Sequence, residues 1–102
     1  MITNNKITIE EYMNGIISDS INMTIPWYLM ASYAYYVEDN PIISDSVYDE
    51  LAKKMLDNWD IIDHRHKSHI SKDMLSAGTY LGEYPPQVEE SVEFVREMYG
   101  RK

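Results

Sequence analysis

The fold is organised around the stretch at residues 33–51, which reads YAYYVEDNPIISDSVYDEL. Proline disfavours the α conformation in the residue before it, so the pair Asn40-Pro41 predicts that the tyrosine-rich half is a helix ending near Asp39. Ser44 is a suitable N-cap for a following helix, because its side-chain oxygen can accept a backbone N–H of the first turn. The stretch therefore predicts two helices joined by a proline turn.

Three polar side chains fall on one face of the second predicted helix. Asp45, Tyr48 and Asp49 stand at positions i, i+3 and i+4, which neighbour one another on a helix surface. The dipole of the helix favours a carboxylate such as that of Asp45 in the first turn. If the two helices are antiparallel, these side chains face the same cleft as Tyr35 and Tyr36 of the first helix.

The spacing of these residues resembles the signature of the small N-terminal helical domain, domain Ia, of bacterial NAD-dependent DNA ligases. That signature has Tyr, then Tyr or His, a short spacer with Asp and Pro, and then Asp, two residues and Tyr-Asp. The matching positions are Tyr35, Tyr36, Asp39, Pro41, Asp45, Tyr48 and Asp49. The resemblance covers roughly residues 27–64. It weakens where the family commonly continues into His-Pro and this chain has His64-Arg65.

The resemblance implies a fold, a ligand and a set of contacts. The fold is an all-α small domain of about four to five short helices around an antiparallel helical hairpin, with residues 1–102 forming one domain. The ligand is the nicotinamide mononucleotide (NMN) half of NAD, with an aromatic ring against the nicotinamide and carboxylates on the ribose and the carboxamide edge. The implied cofactor-binding residues are Tyr35, Tyr36, Asp45, Tyr48 and Asp49.

The chemistry of these residues supports such a ligand independently. The nicotinamide ring of NAD is a pyridinium cation, which a well-placed tyrosine face attracts by about 0.5–2 kcal/mol. Carboxylates add Coulomb attraction and accept ribose hydroxyls and amide protons as charge-assisted hydrogen bonds. Residues 1–52 contain eight Asp and Glu and a single base, Lys6. We expect the cleft to prefer a cation to a phosphate.

Length and composition exclude several other classes. The chain of 102 residues carries a net charge of −8, which argues against strong nucleic-acid binding. It contains no cysteine, which excludes a disulfide scaffold, a thiolate nucleophile and a Cys-based zinc site. No apolar run approaches the roughly 20 residues that span a bilayer, and the N-terminus does not resemble a signal peptide. We expect a cytoplasmic protein, in the host cytoplasm if viral, with no membrane partner.

The helices that precede the proline turn are predicted from caps and periodicity. Thr8 and Glu11 fit a capping box for a first helix that ends near Ser20. Thr24-Ile25-Pro26 opens the next helix, with the proline in its first turn. Its predicted buried stripe is Trp27, Met30, Ala31, Ala34 and Val37. The residues assigned to its other side are Tyr28, Ser32, Tyr35, Tyr36 and Asp39.

Four more segments follow the proline turn. The third helix should extend from Asp45 to about Trp59, and a short capped helix at residues 71–78 should stop at Gly78. Residues 79–87 are predicted to form a loop whose apolar side chains pack back onto the body; they are Tyr80, Leu81 and Tyr84. The last helix, at about residues 87–99, presents Val88, Val92, Val95 and Tyr99 on one side.

The site residues also have plainer interpretations. Tyr48 lies on the apolar stripe of the third helix, so it could be a packing residue whose hydroxyl reaches the rim of the cleft. Asp45 and Asp49 could be ordinary acids of a first helical turn. The complete set of matched positions at fixed spacing favours ligand contacts.

The charge reverses at residues 53–72, which carry five of the nine Lys and Arg and all three histidines. This segment could meet the phosphates of a dinucleotide, nucleic acid or an acidic partner, or it could be a solvated linker and helix end. The spacing of His64, His66 and His69 could also assemble a metal site, but it matches no strong zinc pattern. No metal is expected.

The chain contains no Lys-x-Asp-Gly motif, whose lysine takes the AMP in a ligase. We therefore expect a stand-alone recognition module that is not an enzyme by itself and at most forms part of a split NAD-dependent ligase. Such a module is the sort of gene that phage genomes carry. The alternative is a protein-interaction module that kept the helical scaffold, lost the ligand and binds a ligase or another protein. Contact with nucleic acid through residues 53–72 is a third possibility.

Overall fold

The computed structural model describes residues 7–100, and within them it contains helices and loops but no β-strand. The α-helices are α1 (Ile9–Asp19), α2 (Thr24–Ser32), α3 (Asp45–Asp57), α4 (Lys72–Ala77) and α5 (Gln87–Val95). Short 3-10 turns form at Ile21–Met23 and Lys67–His69, and π-helical turns at Tyr33–Val37 and Arg96–Gly100. The predicted all-α fold is confirmed. None of the helices described is long and apolar enough to cross a bilayer.

Helix α1 begins at the predicted capping box. The Thr8 hydroxyl accepts the backbone N–H of Glu11, and the Glu11 carboxylate accepts that of Thr8, both at 3.0 Å. These bonds satisfy two of the N–H groups that the start of a helix leaves free. The buried side chains of α1 are Ile9, Met13 and Ile17. Their helical spacing gives α1 one face against the core.

Helix α2 is the central helix and is buried on nearly every side. Its buried residues are Thr24, Ile25, Trp27, Tyr28, Leu29, Met30, Ala31 and Ser32. Both α3 and α5 pack against it. The prediction that Tyr28 and Ser32 lie on an outer side is wrong, because both side chains are fully buried. A single apolar stripe is expected for a helix covered on one face, whereas α2 is covered by two helices.

The C-terminal end of α2 widens into the π-helical turn at residues 33–37. The Glu38 N–H donates to the Tyr33 carbonyl, five residues earlier, at 3.1 Å. A π-helical turn contains more residues than an α-helical turn, so positions beyond Ala34 are displaced from the stripe that an α-helix would continue. For this reason Val37, predicted to be buried, is 54% exposed. That prediction is wrong.

The chain reverses direction between α2 and α3. Asp39 has a left-handed backbone conformation with φ 53°, which aspartate tolerates better than most residues. The Asn40 N–H donates to the Ala34 carbonyl at 2.8 Å and closes the end of the helix. The helix therefore ends before Pro41, as predicted.

Ser44 caps α3 as predicted. Its hydroxyl accepts the Val47 N–H at 3.3 Å. Its own N–H donates to the carboxylate of Glu10 at 3.0 Å, which ties α1 to the start of α3. The cap is thus held from two directions.

Helix α3 ends at Asp57, close to the predicted end, and the segment after it is held by Lys67. The ammonium of Lys67 donates to the carbonyls of Trp59 and Ile62 at 2.7 and 2.8 Å. It also lies 4.7 Å from the centroid of the Trp59 ring. Carbonyl oxygens and the face of an indole ring both attract a cation. Lys67 therefore stabilises the local chain.

Helix α4 has the predicted start and stop. The Ser71 hydroxyl accepts the Met74 N–H at 3.2 Å. Gly78 follows the helix with φ 72°, in the left-handed region that favours glycine. Its N–H donates to the Leu75 carbonyl at 3.2 Å.

The loop after α4 packs two of the three predicted side chains. Tyr80 is buried, and its hydroxyl donates to the Glu83 carbonyl. Tyr84 is half-buried, with its ring centroid 5.2 Å from that of Tyr33. Leu81 is 79% exposed, so the prediction that it packs is wrong. The turn that brings the Tyr80 hydroxyl to Glu83 leaves the side chain between them facing solvent.

Helix α5 closes the core from the other side of α2. Val88, Val92 and Val95 are buried, as predicted. In the turn that follows, the ring of Tyr99 stacks on that of Tyr12, with centroids 4.2 Å apart. The last helix is thus joined to the first.

Candidate functional site

A cavity lies between the C-terminal end of α2 and the start of α3. The predicted site residues that line it are Tyr35, Tyr36, Asp45, Tyr48 and Asp49. Its volume is about 210 Å³, below the roughly 300–1,000 Å³ of pockets for drug-sized ligands. We call it the tyrosine cavity. It has room for one ring and part of a sugar, with the rest of a larger ligand outside.

Two exposed tyrosines form one wall of the tyrosine cavity. Tyr35 and Tyr36 are neighbours in the π-helical turn, and each is 42% exposed. Their rings meet edge to face, with centroids 4.8 Å apart and an interplanar angle of 82°. The Tyr36 hydroxyl lies 3.5 Å from the Gly78 carbonyl, which also borders the cavity. This wall offers aromatic surface to both solvent and a ligand.

Tyr48 forms the inner wall. Its ring stacks on Tyr28 at 5.0 Å and lies 6.4 Å from Tyr35, at interplanar angles of 16° and 26°. Its hydroxyl lies 2.6 Å from that of Ser32, inside the protein. Burial raises the pKa of the Tyr48 phenol well above its ordinary value, although the bond to Ser32 acts in the opposite direction. Tyr48 is therefore a packing residue, as its plainer interpretation predicts. Its hydroxyl, however, is buried and does not reach the rim of the cavity.

Two carboxylates border the opening. Asp45 and Asp49 are exposed on the first turns of α3. Neither forms an ion pair or a side-chain hydrogen bond with another residue in the range 7–100. No Lys, Arg or His of the part of the chain that the structure describes lines the cavity; Lys6, Arg101 and Lys102 lie outside that part. The two carboxylates are thus available to accept protons from a ligand or to face a cation.

Some residues of the site were not predicted as contacts. The rest of the lining consists of Ala31, Ile43, Gly78 and Pro41. Of these, only Pro41 belongs to the motif that resembles the ligase signature. The only local signal that Ala31 borders the cavity was its small side chain, four residues before Tyr35. Gly78 signalled a helix stop, but its approach to the cavity depends on how α4 packs against α3.

The three histidines lie in a row outside the tyrosine cavity. The ring centroids of His64 and His66 are 5.4 Å apart, and those of His66 and His69 are 5.6 Å apart. Among residues 7–100, no group of three or more His, Asp or Glu is arranged to hold a metal ion. The row does not form part of the tyrosine cavity.

Comparison with known proteins gives one family match. Residues 29–73 match the family described as DNA ligase-like, N-terminal NAD+-binding domain. The matched segment contains all the predicted site residues and runs nine residues beyond the predicted limit at His64. The departure at Arg65 therefore does not end the similarity.

A curated relative agrees with this match. The chain is 40% identical over 63 residues to a DNA ligase of Prochlorococcus marinus (strain NATL2A). The aligned part covers 62% of this chain and 8% of that ligase. No solved structure matches the chain. These findings support the similarity of this part of the chain to the N-terminal domain Ia of NAD-dependent ligases.

Proposed function

We propose that this protein binds the NMN half of NAD, or free NMN, in the tyrosine cavity and performs no adenylation by itself. One observation carries the proposal. The five residues nominated by the ligase signature, from two helices, line one cavity of about 210 Å³ whose wall has two carboxylates and, among the described residues, no cation.

The chemistry of the wall fits a pyridinium ring attached to a ribose. Tyrosine faces attract a cation, and the fixed ring of Tyr48 needs no reordering when a ligand arrives. Asp45 and Asp49 have unused acceptor oxygens for ribose hydroxyls and carboxamide protons. Because both carboxylates are exposed, water weakens their attraction for the cation. A dissociation constant of about 0.1–10 mM, or roughly 3–5 kcal/mol, is expected.

The proposed biological role is recognition of the nucleotide in trans with, or on, a ligase. The similarity covers the N-terminal part of a ligase, and the chain has no Lys-x-Asp-Gly motif. The AMP half of NAD would therefore lie against a nucleotidyltransferase domain outside residues 1–102, which we propose that a ligase supplies in trans. The test is to add this protein to an NAD-dependent ligase that lacks its own N-terminal domain. Restored transfer of AMP to the ligase lysine from NAD is the expected result. NMN binding without restoration would reject only the role in trans.

Ligand binding is tested by isotope-edited NMR with three separate ligands. NMN and nicotinamide riboside both carry the pyridinium and the ribose, whereas AMP carries neither the pyridinium nor the carboxamide. We expect both nicotinamide compounds to shift the backbone signals of Tyr35, Tyr36, Asp45, Tyr48 and Asp49, and AMP to leave them unchanged. The riboside separates recognition of the cation from any effect of a phosphate. No response of these signals at saturating NMN, or an equal response to AMP, would refute the proposal.

A second candidate function is a protein-interaction module. The observation that favours it is the run Tyr35, Tyr36 and Val37, three successive apolar or aromatic side chains that are each more than two-fifths exposed. Aromatic side chains of this kind are enriched at the buried centre of protein interfaces. Under this function a ligase or another protein covers the mouth of the cavity, and binding of that partner survives saturating NMN. Competition between NMN and the partner would instead favour a shared site.

A further inference from the structure

A second cavity lies between α2, the segment 64–66 and the start of α5. Its volume is about 190 Å³. We call it the histidine cavity. It shares no lining residue with the tyrosine cavity. It belongs to neither the ligase signature nor the site proposed above.

Most of the wall of the histidine cavity is apolar. The side chains that form it come from α2 and the turn before it, from the loop before α5, and from α5 itself. They include Met23, Leu29, Met30, Pro85 and Val88. Leu29 and Val88 belong to the buried core, so packing fixes this part of the wall. The thioether side chains adapt to ligands of different shape. The wall suits an apolar or aromatic body about the size of one ring.

The rim of the histidine cavity carries one cation, Arg65, and two imidazole rings. His64, Arg65 and His66 line it, and no Asp or Glu of residues 7–100 does so. The residues that α5 adds to the rim are the uncharged Gln87 and Ser91. Arg65 is exposed and forms no ion pair with another residue in the described range. Its guanidinium is thus free to hold a carboxylate or a phosphate in the forked geometry that arginine favours.

The two histidines supply further donors. The His66 backbone N–H donates to Nδ1 of His64 at 3.1 Å, so neutral His64 carries its proton on Nε2. Burial, together with His66 and Arg65, lowers the pKa of His64, while Asp63 acts in the opposite direction. Burial, Arg65 and His69 lower the pKa of His66. Both shifts favour the neutral imidazole, whose ring N–H can still donate to a bound anion.

We propose that the histidine cavity binds a small organic anion with an apolar or aromatic body, whose carboxylate or phosphate meets Arg65, His64 and His66. The body lies against Met23, Met30 and Val88. Among the described residues, the tyrosine cavity has two carboxylates and no Lys or Arg in its wall, whereas the histidine cavity has Arg65 and no carboxylate. The two cavities therefore select ligand groups of opposite charge.

The test compares four probes by NMR: phenyl phosphate, benzoate, inorganic phosphate and benzyl alcohol. Signals of the Met23 and Met30 methyl groups report the apolar wall, and imidazole signals of His64 and His66 report the rim. We expect phenyl phosphate or benzoate to shift both sets of signals at concentrations where inorganic phosphate and benzyl alcohol shift neither. The stronger of the two aromatic anions identifies the preferred acidic group.

Arg65→Gln is the variant that tests the rim, and Lys53→Gln is its matched control. Both positions are exposed and lose one positive charge, but Lys53 does not line the cavity. We expect Arg65→Gln to weaken binding of the aromatic anion about fivefold or more and Lys53→Gln to leave it within about twofold. Added salt should weaken binding of the anion but not the much weaker binding of benzyl alcohol.

Three results would overturn the proposal. In the first, phenyl phosphate and benzoate bind no better than inorganic phosphate. In the second, the methionine methyl signals stay unshifted while signals of exposed lysines shift, which would indicate that the anion is attracted only diffusely by surface charge. In the third, Arg65→Gln and Lys53→Gln weaken binding equally. None of these results bears on NMN binding in the tyrosine cavity, which is read from different residues.

Discussion

The hydroxyls of Ser32 and Tyr48 lie 2.6 Å apart inside the protein and join α2 to α3 directly beneath the tyrosine cavity. The ring of Tyr48 faces the cavity on one side and stacks on the buried ring of Tyr28 on the other. This hydrogen bond therefore connects the packing of the two central helices to the shape of the candidate site.

Removing either hydroxyl should destabilise the protein. Ser32→Ala or Tyr48→Phe leaves the remaining hydroxyl buried without its partner, so we expect each to lower the free energy of unfolding by about 1–3 kcal/mol. The double variant should lose less than the sum of the two single losses, because neither hydroxyl of the pair is then left without its partner. Urea unfolding measures all three. Strictly additive losses would show that the two groups are not coupled.

The acids of the tyrosine cavity should matter for binding more than for stability. We expect the double variant Asp45→Asn and Asp49→Asn to weaken NMN binding tenfold or more, at a cost in unfolding free energy of about 0.5–1 kcal/mol from the lost helix-dipole interaction. Glu50→Gln is the control, because Glu50 is exposed on the same helix and does not line the cavity. NMR titration and urea unfolding give the two quantities. A large loss of stability with unchanged affinity would identify the acids as structural.

At Gly78, the cost of a substitution should depend on the backbone conformation that the new residue must adopt and not on the room for its side chain. A Cβ at this position meets no atom within 4 Å, but the φ of 72° is strained for most side chains. We expect Gly78→Ala to lower the free energy of unfolding by about 1–2 kcal/mol and Gly78→Asn to cost less, since asparagine tolerates the left-handed region. Thermal unfolding of the two variants compares them. Equal losses would contradict this explanation.

Arg96, in the turn that follows α5, should stabilise the turn between α2 and α3. Its guanidinium lies 2.7 Å from the Glu38 carboxylate and donates to the Asn40 carbonyl at 2.6 Å. Because both side chains are about one-quarter exposed, we expect Arg96→Gln to cost only about 0.5–1.5 kcal/mol. Glu38→Gln keeps the bond to Asn40 and should cost less. The loss in Arg96→Gln should shrink at high salt, and a loss that salt does not change would indicate packing instead of charge.

Stability should fall steeply at alkaline pH. Burial, with a smaller contribution from Glu83, raises the pKa of the Tyr80 phenol to about 12, whereas tyrosine in an unfolded chain ionises near 10. The native state thus holds this proton more tightly, so the stabilisation is complete below about pH 10 and is lost as the pH rises through about 12. Tyrosinate absorbance and circular dichroism, followed together, should change over this interval. Loss of helix well below about pH 10 would assign alkaline unfolding to another group.

The local features of the fold were readable from sequence. The capping box at Thr8, the cap at Ser44 and the stop at Gly78 depend on backbone groups within a few residues, so local chemistry predicts them. The predictions for Val37 and Ser32 failed for different reasons, one local and one tertiary. At Val37 a π-helical turn shifted the helical period, and at Ser32 a second helix covered the face assigned to solvent.

The sequence by itself determined the helices, the proline turn and the spacing that puts Asp45, Tyr48 and Asp49 on one helical face, because these follow from local backbone geometry. Only the tertiary structure decided which tyrosines are buried, that Ser32 anchors Tyr48, and that Gly78 borders the same cavity. It also separated a cavity lined by two carboxylates from one lined by Arg65 and two histidines. Such relationships join residues far apart in the chain, and they are set by how helices pack and not by the period of any one of them.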